Sequence, residues 1–187
     1  MPEDYHSEIK KLLDKPVVLV GMMGSGKSHT GRALANALKL SFADSDKIIE
    51  EKAGLPVTEI FESFGEEKFR DAEHNTIIEL LNSDTGVIAT GGGALMNEKT
   101  LKALKSESIM IWLNADLETL WERVQKSQTR PLLQTENPKE KLQALMDERR
   151  ALYSQAQIDV PIEASKQQNT LKTLIKSLYE HLNAVTL

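Results

Sequence analysis

Residues 17–28 read VVLVGMMGSGKS, and this stretch decides the fold. The run VVLVG at 17–21 has the continuous apolar character of a strand buried on both faces. Gly21-x-x-x-x-Gly26-Lys27-Ser28 follows, and KSHTGRALANALKL then carries helical spacing through Leu34, Ala35 and Leu38. Strand, glycine loop and helix in that order are the setting in which such a loop holds phosphate. Gly24 and Gly26 allow positive φ and turn successive N–H groups inward as an anion-binding nest. The helix opening near Lys27 adds its positive end. Lys27 can reach the β- and γ-phosphates, and the Ser28 hydroxyl can ligate Mg²⁺. Gly21, Ser25 and His29 join these as positions binding a nucleoside triphosphate, with the His29 side chain expected to point away from the loop. A plain glycine turn would leave Lys27 and Ser28 without a purpose.

Outward from this loop the chain alternates β-rich runs with helical stretches, the pattern of an α/β parallel sheet. Further strands are expected at 41–44, 86–90, 108–113 and 158–162, the last at an edge because Pro161 removes a ladder donor. Helices are expected over 66–82, 116–127, 138–155 and 170–184, with shorter ones at 46–53, 57–63 and 97–105. The polar, two-proline stretch SQTRPLLQTENP, 127–138, fits neither pattern and reads as a functional loop or flap. No linker interrupts 1–187, so a single domain is expected, with 1–15 as an N-terminal extension of no assigned role.

The chain has 187 residues, a net charge of −5 and no cysteine, which excludes disulfides, thiolate metal sites and a cysteine nucleophile. The acidic balance argues against a nucleic-acid partner, so an anionic ligand must be met by local cations. No apolar run approaches the ~20 residues of a membrane span. A cytoplasmic protein without a membrane partner is expected.

A phosphate loop names no reaction. The guanine-reading Asn-Lys-x-Asp is missing, and no Asp-x-x-Gly follows DSD, which removes support for a GTPase. The acceptor side must come from other residues. Asp44 and Asp46 end the second strand, where an extended chain points both to one side. In a parallel sheet that end faces the phosphate loop, so one acid can help hold Mg²⁺ and the other accept a hydroxyl proton. The alternative for Asp46 is helix capping before KIIEEKAG. Gly91, Gly92 and Gly93 after the strand VIA suggest close backbone approach to a ligand, or a flexible turn. Arg149 lies on the apolar stripe Leu142, Leu145, Met146, Leu152, Tyr153, with no acid at helical reach. A guanidinium on an inward face calls for an anion, either a ligand or a distant acid reached by a snorkelling side chain, whereas Arg150 has Asp147 three residues back. Arg70 has Glu66, Glu67 and Glu73 within reach, so a surface ion pair and a ligand contact both remain open. Arg130, before Pro131, can close over phosphates or remain solvated.

GMMGSGKS, DSD, Phe69-Arg70, TGGG, RPLL at 130–133 and ERRALY at 148–153 together resemble the shikimate kinases, from about Val17 to Tyr153 and more loosely beyond. The resemblance implies a three-layer P-loop kinase fold: a five-stranded parallel sheet of order 2-3-1-4-5 flanked by helices, with a mobile lid. It implies ATP-dependent phosphorylation of shikimate at its 3-hydroxyl, with Mg²⁺ as cofactor, ATP and shikimate as partners, and a monomer. By the same resemblance Asp46 binds substrate hydroxyls and acts as base, and Asp44 lies near Mg²⁺ with Ser28. Arg70 and Arg149 grip the shikimate carboxylate, and Gly92, between Gly91 and Gly93, offers backbone contact. Lys27 and Arg130 act on the phosphates, Arg130 from the lid. Two residues depart from the pattern: His29 replaces a small hydroxyl residue, and Ala151 replaces a proline beside Arg149. A gluconate-kinase-like enzyme and a nucleotide-binding module without turnover are the competing readings.

Overall fold

The computed structural model describes residues 4–125, 131–162 and 167–186. Five parallel strands form one sheet in the order β2-β3-β1-β4-β5, as the resemblance implied. They are β1 (Val17–Val20), β2 (Phe42–Asp44), β3 (Val87–Ala89), β4 (Ile109–Ala115) and β5 (Ile158–Ile162). Every residue of β1 is buried, since it pairs with β3 on one side and β4 on the other. Covering both faces of such a strand with helices makes its aliphatic run necessary. At the β5 edge, Ile158, Val160 and Ile162 face inward while Asp159 and Pro161 are exposed.

The helices are α1 (Asp4–Leu12), α2 (Lys27–Leu38), α3 (Ser45–Ala53), α4 (Val57–Leu81), α5 (Glu98–Glu107), α6 (Leu117–Val124), α7 (Pro138–Tyr153) and α8 (Gln167–Thr186). Short 3₁₀ turns occupy Ala94–Met96 and Pro131–Leu133. All strands run the same way, so the ends of β1, β2 and β3 bring the phosphate loop, Asp44 and the glycine turn to one edge of the sheet.

The helices expected at 57–63 and 66–82 are both present and meet within α4 at Gly65, whose φ of 81° and ψ of 166° separate them. Other expectations change on folding. The strand at 41–44 gives way to helix at once: Asp44 is the N-cap of α3, its Oδ1 accepting from Asp46 N and Lys47 N at 3.2 and 3.4 Å. The capping role considered for Asp46 therefore belongs to Asp44, and the two acids do not share an extended segment. The 1–15 extension contains α1, whose Tyr5 ring stacks on Tyr179 of α8 at 4.4 Å and whose Ile9 is fully buried. Tyr5, Ile9 and Leu12 at helical spacing were the signal for it. Within 127–138, Leu133 is buried in the core and Pro138 opens α7. Residues 127–130 of the lid reading, Arg130 included, lie outside the described residues.

Candidate active site

The phosphate loop has the geometry its sequence requires. Gly24 and Gly26 take φ of 82° and 93°, a region side-chain-bearing residues avoid. Gly26 is the N-cap of α2 and no side chain caps it, so the helix presents bare backbone N–H groups to the loop. Lys27 is buried, and its Nζ donates to Gly21 O at 2.8 Å and Met22 O at 3.0 Å. Ser25 is also buried, with its Oγ lacking a hydrogen-bond partner. His29 is exposed, yet it lines a cavity of about 190 Å³ together with Gly24, Ser25, Gly26, Arg123 and Thr170, so it borders the loop rather than turning away. Arg123 of α6 donates through Nη1 to Gly24 O at 3.1 Å and Ser25 O at 3.4 Å. Nothing in the spacing of Arg123 marked it in the sequence; only the docking of α6 on the loop does.

A cavity of about 460 Å³ opens beside the loop, lined by Ser28, Asp44, Asp46, Arg70, Glu73 and Arg149 with the glycine turn Gly91–Gly93. The expected metal pair Ser28 and Asp44 and the expected substrate set thus meet in one place. Asp46 sits in the first turn of α3, its Oδ1 buried without a hydrogen-bond partner. Burial, then the Glu73 and Asp44 carboxylates, push its carboxyl up to about 7, with Lys27 and Arg70 pulling the other way.

Glu73 is the residue the sequence understated. It was one of three acids able to pair with Arg70, but it is 1% exposed and its Oε2 accepts from Arg70 Nη1 at 2.6 Å. Its Oε1 has no partner, and burial raises its pKa while Arg70, Lys27 and Arg149 hold it down. Gly91 leaves room for both acids: a Cβ there would lie 2.2 Å from Glu73 Oε1 and 2.8 Å from Asp46 Oδ1.

Arg70 makes the ion pair its spacing offered and also borders the cavity. Its Nε and Nη2 bond Glu66 Oε1 at 3.3 and 3.0 Å, and it lines the cavity. Burial works against its charge, but Glu73 and Glu66 outweigh that and raise its pKa. Arg149 is 4% exposed, donates through Nη1 to Gly92 O at 3.0 Å, and keeps a buried Nε with no partner. Arg150 is exposed and borders a different, small cavity with Asp147. The arginine on the apolar stripe is therefore the inward one, and Ala151 in place of proline does not turn it outward.

A family model described as shikimate kinase matches residues 23–181. The chain belongs to the shikimate kinase family. Curated relatives include shikimate kinases of Brucella canis, 46% identical over 93% of this chain and 88% of that protein, and of Bartonella henselae, 42% identical over 94% and 83%. A solved shikimate kinase from Acinetobacter baumannii in complex with shikimate superposes with a TM-score of 0.85 at 35% identity, covering 96% of this chain and 99% of that one. A gluconokinase from Sinorhizobium meliloti, 15% identical with a TM-score of 0.53, shares the fold alone, which leaves the competing sugar-acid reading without support. The reaction of shikimate kinases, and of this chain as one of them, is transfer of the γ-phosphoryl group of ATP to the 3-hydroxyl of shikimate. The products are ADP and shikimate 3-phosphate, a step toward chorismate and the aromatic amino acids. Among the described residues no helix is long and apolar enough to cross a membrane.

Proposed function

We propose that Asp46 is the base that takes the proton of the shikimate 3-hydroxyl, with Arg70 and Arg149 holding the substrate carboxylate. The observation carrying this reading is that one cavity beside the phosphate loop is lined by both guanidinium groups and by a carboxylate with an unpartnered oxygen. A ring bearing a carboxylate at one side and hydroxyls at the other meets both. Two arginines fix the acid end and so orient the hydroxyl. The raised pKa of Asp46 makes it a stronger proton acceptor than an ordinary carboxylate, once ionised. Backbone groups of Gly91, Gly92 and Gly93 complete the acceptor contacts.

On the nucleotide side, the reading gives the phosphates to Gly21, Gly24, Ser25, Gly26 and Lys27, with His29 and Arg123 beside them. Ser28 and Asp44 supply hydroxyl and carboxylate oxygens, hard donors of the kind Mg²⁺ takes. Among the described residues no group of three acidic, His or Cys side chains could hold a metal alone, which favours an ion sharing its shell with the nucleotide. Bound with ATP, Mg²⁺ supplies positive charge against the phosphate oxygens. Lys27 stabilises charge on the transferred group, and Arg130 is taken to join it from a lid over 127–138 that excludes water. A monomer working in the cytoplasm, where ATP is supplied, completes the reading.

ADP release from MgATP in the presence of shikimate, quinate, gluconate or no acceptor tests it. Turnover that depends on shikimate and is weak with the other acids is expected. Equal rates with gluconate would contradict the assignment of the acceptor cavity.

A further inference from the structure

We propose that Tyr153 is a positioning residue for the transfer, setting where the acceptor lies relative to the phosphate loop through the carbonyl of Gly92. This rests on the residue roles just given. Tyr153 ends α7 one turn after Arg149, so both side chains leave the same face. Both end on one atom: Tyr153 Oη and Arg149 Nη1 each donate to Gly92 O. A carbonyl oxygen has two lone pairs, so this pair of donors saturates it. In a planar trans peptide the C=O and the following N–H point opposite ways. Pinning Gly92 O toward α7 therefore aims the Gly93 N–H away from α7, and Gly93 lines the acceptor cavity.

The other side of Gly92 is the phosphate loop. A Cβ on Gly92 would lie 3.0 Å from Met23 N and 3.6 Å from Gly21 O, so backbone rests on backbone. Met22 Sδ lies 3.6 Å from Tyr153 Oη, and Met22 O in turn accepts from Lys27 Nζ. Phenol, glycine turn and phosphate loop form one packed unit. Tyr153 itself borders the small cavity beside Trp112 and Arg150, not the acceptor cavity, so it acts through Gly92 and Arg149. Burial pushes its hydroxyl up to about 12, which keeps it a donor at working pH. In-line transfer is sensitive to such registration, since a misplacement of ~1 Å can cost ~100-fold in rate.

Tyr153→Phe keeps the ring and its stack on Trp112, 5.9 Å between centroids, and removes only the donor. Its kcat per folded molecule, counted by nucleotide-binding titration, is expected to fall about tenfold. KM for ATP should stay within about twofold, and more ADP should form per shikimate 3-phosphate made. Trp112→Leu removes the stack and leaves the hydroxyl; it should lower Tm while kcat per folded molecule stays near the parent value. Parental kcat in Tyr153→Phe, an equal kcat loss in Trp112→Leu, or a Tyr153→Phe chain that does not fold would each overturn the proposal. Failure of the underlying reading would show earlier, as a parent enzyme with no shikimate-dependent turnover.

Discussion

The phosphate loop and the acceptor cavity face each other, yet they are built in opposite ways. The loop is eight consecutive residues, Gly21–Ser28, whose backbone takes its curve from its own local conformation. The cavity is assembled from α3, α4, the turn after β3 and α7, so its charges meet only when the sheet is complete. One half works through N–H groups and a helix end. The other works through a balance of Asp46 and Glu73 against Arg70 and Arg149, all sharing one confined site. A half made of backbone tolerates change around it; a half made of paired charges is exposed to the loss of any member, because the partner is left uncompensated.

Lys27 is the exception in the loop, a buried side-chain cation among backbone groups, and substitutions there and in the cavity should separate by what they impair. The largest effect is expected from Lys27→Met, which removes the loop's one side-chain cation and should lower kcat about 10²–10³-fold without unfolding the chain. Steady-state phosphotransfer alongside circular dichroism measures this, and a loss of only a few-fold would mean the backbone alone does the loop's work. Asp46→Asn should follow, with kcat down about 10²-fold and nucleotide affinity retained.

The raised pKa of Asp46 adds a pH signature. The parent kcat/KM should rise with pH through about 7 and level off above it, because only the ionised form accepts a proton. The native carboxyl titrates above its unfolded value of 3.8, so the folded state holds the extra proton between 3.8 and about 7. Stability therefore falls as pH climbs through that window and stays reduced above it. Asp46→Asn removes this penalty and should raise Tm at pH 8 by about 3 °C or more, read by calorimetry. A Tm that falls instead would mean the carboxylate stabilises the fold.

Arg149→Ala should raise KM for shikimate about 30-fold with KM for ATP little changed, while Arg150→Ala should change either by less than about twofold. The reverse ranking would move the acid contact to the neighbouring residue. The mildest and sharpest probe is Gly93→Ala. Its φ of −110° admits alanine without strain, but the new Cβ would lie 2.2 Å from Arg70 Nη2 and 2.4 Å from Cζ. The guanidinium must shift, and a rise of about tenfold in KM for shikimate is expected, worth about 1.4 kcal/mol. An unchanged KM would show that Arg70 can retreat and still serve.

The contrast between the two halves also explains what was legible. Residues 17–28 carried the loop, its strand and its helix because all three are local, and Arg149 stood out because an unpaired cation on an apolar stripe is visible within one helix. Glu73 was hidden by the opposite circumstance. Its partner Arg70 is three residues away, so an ordinary surface pair and a buried functional pair read alike until burial is known. Arg123 had no sequence signal, and Tyr153 read only as part of an apolar stripe, since their polar partners, Gly24, Ser25 and Gly92, lie 61 or more residues away. The capping role considered for Asp46 falls to Asp44, two residues earlier, because α3 already starts at Ser45.

By itself, then, the sequence determined the phosphate loop, the all-parallel order of elements and the identity of the inward arginine. These follow from spacing along the chain, where conformation and periodicity act over a few residues. The tertiary structure alone decided which carboxylates are buried, which arginine supports the loop and how the glycine turn is held. Burial and desolvation are properties of the assembled molecule, and they convert ordinary charged residues into a site.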